Sequence, residues 1–190
     1  MMKKSLLIFL LSGITASASA QKNKWSPWIM PEAGIVAGAL NPAADFRLTI
    51  GMRLKQLRLG AGVAFDEYRD HSYPIYLQAR WQMKWRKWKP FIFSSAGYNI
   101  RSGTDTIFTW FGNRAQTYRG GLYAEAGVGL TISIRKKERL FISISQSYKR
   151  SSSTFQDFRW LGPGNTVTVP TTEVYRMNRM GLRVGWRFGE

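Results

Sequence analysis

Met180-Gly181-Leu182-Arg183-Val184-Gly185-Trp186-Arg187-Phe188 alternates without interruption. Met180, Leu182, Val184, Trp186 and Phe188 form one wholly apolar face. Gly181, Arg183, Gly185 and Arg187, preceded by Arg179, put only arginine and glycine on the other. A period of two is the signature of a β-strand whose faces meet different surroundings.

The pattern recurs upstream. Phe46, Leu48, Ile50, Met52 and Leu54 alternate with Arg47, Thr49, Gly51, Arg53 and Lys55. Leu57, Leu59, Ala61, Val63 and Phe65 alternate with Arg58, Gly60, Gly62, Ala64 and Asp66. Ile75 to Lys84, Leu122 to Arg135 and Leu140 to Ser147 read the same way, with Arg80 and Glu125 on their polar faces. Two stretches are less regular. Around 29–40, Ala33, Ile35, Ala37 and Ala39 oppose Glu32, Gly34 and Gly38; around 90–100, Phe91 and Phe93 compete with Ile92, Tyr98 and Ile100 for the apolar face, leaving its facing open. The sum is eight strands. No stretch of the mature chain approaches the 18 consecutive apolar residues of a membrane helix.

The connections alternate in length. Lys55-Gln56, Trp85 to Lys89 and Arg135 to Arg139 are short; 101–118 and 152–172 are long and rich in Gly, Ser, Thr, Asn and Pro, and are expected to be loops. Glu67 to Ser72 is intermediate, and Asn41 to Ala44 is short. Short turns on one side and long connections on the other describe an up-and-down barrel in an outer membrane. An even strand number puts both ends of the barrel on the short-turn side, the periplasm.

Orientation decides between lipid and water. A soluble eight-stranded barrel turns its apolar face inward and its charges outward. Here that choice would crowd Leu, Ile, Trp and Met into a narrow interior and leave many glycines outside. The reverse choice puts the apolar face against hydrocarbon and encloses the arginines with carboxylates and water. It also pairs every backbone group without an edge. The fold class expected is therefore all-β, an eight-stranded antiparallel up-and-down transmembrane β-barrel. Trp25, Trp28, Trp85, Trp88, Trp186 and Phe188 near one end, and Tyr68, Tyr73, Trp110, Phe111, Tyr118, Phe155, Phe158 and Trp160 near the other, are expected to form two interfacial girdles.

Residues 1–20 read as a cleaved signal peptide: Lys3 and Lys4, the apolar run Leu6 to Leu11, and the cleavage site Ala18-Ser19-Ala20, leaving 21–190 as the barrel. The apolar run is well short of the about 20 residues a spanning helix needs. Cleavage lowers the formal charge from +17 to +15. The chain has no cysteine and a single histidine, which removes disulfides, thiolate chemistry and a histidine-rich metal site. No cofactor and no metal are expected.

In this architecture the chain resembles the small outer-membrane β-barrel proteins, the porin-like, OmpX/OmpA-type group. The resemblance covers about 25–188 and is most specific in the closing strand. There Leu182, Val184, Trp186 and Phe188 look like the signal by which the barrel-assembly machinery recognises its clients, although Gly189 and Glu190 follow Phe188. It implies insertion into the outer membrane by that machinery; it does not imply a transported substrate.

The basic residues fall into three sets. Arg47, Arg53, Arg58, Arg80, Arg183 and Arg187 point inward. Lys55, Arg86, Lys87, Lys89, Lys136, Lys137 and Arg139 sit in the short turns. Arg69, Arg101, Arg114, Arg119, Lys149, Arg150, Arg159 and Arg176 lie at the outer rim or in loops, either paired with the anions of lipopolysaccharide and lipid headgroups or standing as solvated loop charge. This dispersal is not that of a nucleic-acid surface. Glu32 and Glu125 are expected to pair inside with Arg183, Arg80 or Arg47, because unpaired charge in a lumen of low dielectric is costly. The function expected is non-enzymatic: a barrel with a side-chain-filled lumen, its long loops serving envelope integrity, adhesion or assembly with a protein partner. The alternatives are a narrow pore for small solutes and a rim enzyme using His71, which Asp70 and Ser72 flank.

Overall fold

A computed structural model describes the backbone of residues 25–68, 71–83, 85, 88–109, 112–135, 138–162 and 165–189. The signal segment 1–20, Arg69, Asp70, Arg86, Lys87, Trp110, Phe111, Lys136 and Lys137 lie outside the described residues, as do the side chains of Arg114, Phe158, Arg159 and Trp160. Eight strands follow one another: β1 (Trp25–Gly38), β2 (Ala43–Leu54), β3 (Leu57–Asp66), β4 (Tyr73–Gln82), β5 (Lys89–Thr109), β6 (Gly112–Arg135), β7 (Glu138–Gly162) and β8 (Asn165–Phe188). Each pairs antiparallel with the next, and β8 returns to β1 with Ile29 opposite Phe188 and Gly38 opposite Arg179, closing the barrel. The two-residue β2–β3 turn puts Lys55 in the left-handed region at φ 55°.

Alternation fixes the facing. Ile50, Leu77 and Met180 on the outer wall are 56%, 71% and 64% exposed, whereas Arg80, Arg183 and Arg187 are each 1% exposed inside. The outer wall is therefore the hydrocarbon-facing surface of a transmembrane barrel. In β5 the ambiguity resolves with Phe91, Phe93, Ser95 and Asn99 inward and Ile92, Tyr98 and Ile100 outward. The inward glycines are the space the inward rings occupy. A Cβ on Gly62 would stand 2.6 Å from Cζ of Tyr76, and one on Gly127 would stand 2.7 Å from the Phe93 ring. Small barrels pack their interiors by such pairing of small and large residues.

The strands differ greatly in length, and here the sequence reading needs correction. β1 to β4 run 10–14 residues, but β5 to β8 run 21–25. The stretches 101–118 and 152–172, expected as loops, are mostly strand. β5 and β6 pair from Ser102 opposite Arg119 out to Thr109 opposite Gly112, and β7 and β8 pair from Arg150 opposite Arg176 out to Gly162 opposite Asn165. Gln116 opposite Phe155, through Arg119 opposite Ser152, joins the two hairpins into one four-stranded sheet. At ~3.3 Å per residue the β7–β8 hairpin extends roughly 40 Å along its strands past the rim. Irregularities at Asn99/Ser102 and Arg119/Tyr123 mark the level where barrel gives way to sheet. The loop reading failed because alternation reports two unlike solvents. Above a membrane both faces of a strand meet water, so Thr, Ser, Tyr and Val form strand without an apolar stripe.

Candidate functional site in the barrel lumen

The interior is built in three tiers. Nearest the short turns, Trp28, Met30, Phe91, Phe93 and Phe141 form an apolar cluster. The Arg80 guanidinium lies 4.2 Å from the Phe91 ring centre and 4.7 Å from that of Phe141, and its Nη2 donates to Oε1 of Glu32 at 3.1 Å. The carboxylate and the ring faces offset part of the hydration this buried guanidinium has lost, its Nε and Nη1 making no hydrogen bond.

The middle tier is a closed ring of alternating charge. Arg47 Nε donates to Asp45 Oδ2 at 2.9 Å, and Arg47 Nη1 donates to Glu125 Oε2. Arg183 Nη1 donates to Glu125 Oε1 at 2.6 Å, and Arg183 Nε closes the circuit on Asp45 Oδ2. Two arginines and two carboxylates thus cancel formally, and neutral groups take up further bonding capacity. Tyr123 donates to Glu125 at 2.7 Å, Arg183 donates to Ser145 Oγ at 2.7 Å, and the hydroxyls of Tyr76 and Thr49 lie 2.9 Å apart. β2 and β6, which carry Arg47 and Glu125, stand opposite each other in a ring of eight, so this pair spans the lumen.

The upper tier centres on Asp66. It accepts from Arg179, from Lys149 Nζ at 3.2 Å, and from the backbone N–H of Tyr68 at 2.8 Å. Lys149 also donates to Ser72 Oγ at 2.9 Å. β3 and β7 are again opposite strands, so Lys149 and Asp66 make a second tie across the interior.

The structure therefore brings Glu32 to Arg80, and Arg47 and Arg183 to Glu125. Asp45, Asp66, Arg179 and Lys149 were missed as network members. Asp45 lies two residues from Arg47, and Asp66 lies on the inward set of β3, so period two already put both inside. Lys149 corrects the rim assignment: it is 1% exposed, two residues beyond inward Ser147. Trp28 and Tyr68 correct the girdles. Both are buried, Trp28 in the lower cluster and Tyr68 with Val36 and Met177, where its hydroxyl accepts from the N–H of Leu40 at 2.8 Å. Trp25, Trp85, Trp88 and Tyr73 stay exposed.

In the closing strand, Leu182, Val184 and Phe188 face outward, and Trp186 is half-buried and stacked on Phe188 with ring centres 6.1 Å apart. His71 is exposed, its Nε2 3.8 Å from Oε1 of Glu67 and its ring beside Phe65. Among the described residues, the inward carboxylates Glu32, Asp45, Asp66 and Glu125 are each paired with a cation. Among the described residues no group of three or more His, Asp or Glu side chains is placed to hold a metal ion.

No family model matches the chain, and no curated protein sequence matches it. Solved structures do. A major outer membrane protein from Thermus thermophilus is similar with a TM-score of 0.60 at 14% identity, over 88% of this chain and 100% of the other. Neisserial surface protein A is similar with a TM-score of 0.50 at 15% identity, over 86% and 96%. A de novo designed transmembrane β-barrel has a TM-score of 0.50 at 10% identity, over 90% and 98%. At such identities the likeness is one of fold, that of transmembrane β-barrels.

Proposed function

We propose that this chain is a non-enzymatic integral outer-membrane protein with a plugged lumen, which presents the projecting sheet of β5–β8 to partners outside the cell. Residues 1–20 direct its export, and Leu182, Val184, Trp186 and Phe188 present it to the barrel-assembly machinery. The observation that carries the reading is the pair of ties across the lumen, Arg47 to Glu125 and Lys149 to Asp66. Bracing from wall to opposite wall at two heights supports a lumen closed to solute.

The outer rim supports a role for lipopolysaccharide. Arg150 and Arg176 are directly opposite on β7 and β8 and both exposed, with exposed Arg119 on the neighbouring strand. Like charges directly opposite repel, and phosphates at the headgroup level offset that repulsion by charge-assisted hydrogen bonds. Envelope integrity and adhesion are the tasks such a surface serves.

Planar-bilayer recording of the refolded protein is the test. The expected trace has no steady conductance steps. Large, stable openings would favour the narrow pore, and lipid or peptide turnover lost in His71→Ala would favour the rim enzyme.

A further inference from the structure

The outer rim over β1–β4 carries a cluster that neither the luminal network nor the projecting sheet uses. The connection from β3 to β4 is pinned at its base. Asp66 and Ser72 exchange two backbone hydrogen bonds of 3.1 Å, and the N–H of Glu67 donates to the Ala44 carbonyl at 3.4 Å. Tyr68 is anchored inside through Asp66 and Leu40. Fixed in this way, the connection leaves Glu67 and His71 exposed on the outside. They adjoin a set of rings. The Phe65 centroid lies 5.9 Å from that of His71 and 5.6 Å from that of Tyr73, with the planes tilted by 47° and 43°. Phe46, directly opposite Phe65 on β2, is also exposed. Tilted rings enclose a wedge bounded by ring faces, which stacked rings do not.

Charge gives the wedge a sign. Among the described residues from Ala39 to Phe46 and from Phe65 to Tyr73, Glu67 is the one outward side chain with a formal charge, histidine counted as neutral. Its carboxylate has no partner among the described residues except the His71 ring nitrogen at 3.8 Å. Ring faces carry negative potential and attract alkylammonium groups, and a carboxylate beside them adds to the same field. The rim over β6–β8 has the reverse character, with Arg119, Arg150 and Arg176 exposed. Beneath the rings the wall stays apolar. Val63 lies below Phe65 on the outward face of β3, and Ile75 and Leu77 lie below Tyr73 on β4, all exposed. A molecule with an ammonium group at its head and a hydrocarbon chain beneath matches both levels of this surface. A lysine side chain matches only the upper one.

We propose that the wedge of Phe65, His71, Tyr73 and Glu67 binds the ammonium headgroup of a membrane lipid, with an acyl chain against Val63, Ile75 and Leu77. Pinning the connection before the lipid arrives lowers the ordering cost of binding. The site is separate from the arginines over β6–β8 and does not depend on their binding phosphate.

The experiment uses the full mature chain in maltoside micelles, following the ring resonances of Phe65, His71 and Tyr73 as short-chain lipids with identical acyl chains are added. Dihexanoyl phosphatidylethanolamine is expected to give saturable shifts, its ammonium-bearing methylene protons moving upfield under the ring faces. Dihexanoyl phosphatidylglycerol, which has the phosphate without the ammonium, gives no saturable shift. Phe65→Leu keeps apolar bulk but removes the central ring, and Glu67→Gln removes the charge. Each weakens binding about fivefold to tenfold, while Arg119→Gln at the far rim leaves it unchanged. Glu67→Gln alters an exposed side chain and keeps the test usable if the ring variant does not fold. O-phosphoethanolamine and N-acetyl-lysine amide, which lack the acyl chains, bind about tenfold more weakly or worse. Equal shifts with the two lipids, equal affinity in parent and variants, or a lysine amide that binds as tightly as the lipid would overturn the proposal.

Discussion

Arg47 and Glu125 meet at the centre of the barrel although their strands, β2 and β6, are as far apart as the ring allows. The pair makes the wall-to-wall distance a matter of chemistry as well as of strand number, because each side chain satisfies a group anchored on the opposite wall. Each also holds a second partner in the same ring, Asp45 for Arg47 and Arg183 for Glu125.

Removing one member strands the rest. Glu125→Gln leaves Arg47 and Arg183 facing each other with Asp45 as their remaining carboxylate, and the expected loss is about 3–5 kcal/mol in denaturant unfolding from lipid. Adding Arg47→Gln to that variant restores part of it, so the double-mutant cycle shows a coupling of roughly 1 kcal/mol or more. Additive losses would show that the two do not interact.

The proposed plug has its own signature. Lys149→Ala combined with Glu125→Ala removes both ties across the lumen, and single-channel recording is expected to show conductance steps that the parent chain lacks. Either substitution alone leaves one tie in place and keeps the trace quiet.

Interior space is matched residue by residue. Gly62→Val puts side-chain atoms where the Tyr76 ring lies 2.6 Å from the Cβ position, and overpacking of this kind costs typically 1–3 kcal/mol. Tyr76→Leu in the same chain vacates the space and recovers stability, measured by urea midpoint.

Position relative to lipid is readable from one substitution type at two heights. Leu77→Arg on the outer wall costs about 2–4 kcal/mol in refolding titrations, the penalty of a charge near the bilayer midplane. Val174→Arg, equally outward but on the projecting sheet, costs close to nothing. Similar penalties at both positions would place β8 residue 174 in hydrocarbon.

Hydrogen exchange distinguishes sheet from loop above the rim. Between residues 150 and 158, β7 is flanked by β8 and in part by β6, and its amides are expected to exchange slowly. Along β8 from 166 to 178 only the β7 side is paired, so protection alternates from residue to residue. Uniformly fast exchange would mean that the hairpins do not persist.

Legibility in the sequence followed the solvent. Wherever one face met hydrocarbon and the other met packed charge, the alternation was unmistakable, and the strands around Arg47, Arg58, Arg80 and Arg183 could be assigned face by face. β5 resisted because Phe91 and Phe93 point inward, against the usual polarity, to fill space left by Gly127 and Gly129 opposite them. Such a choice is visible only once neighbouring strands are in register. Asp45 and Asp66 lay on the correct faces, but period two gives no ranking of carboxylates by partner. Lys149 lies at the boundary between barrel and sheet, where a lysine suits both a buried tie and a wet rim, and only the position of Asp66 on the opposite wall distinguishes the two.

The unequal height of the two halves gives the molecule a front and a back in the plane of the membrane. The low half, over β1–β4, ends at the level of Gly38 and Tyr73, while the tall half, β5–β8, stands well above it. The height of the wall therefore depends on the direction from which the barrel is viewed, and rotation about its axis turns the tall side toward a different neighbour.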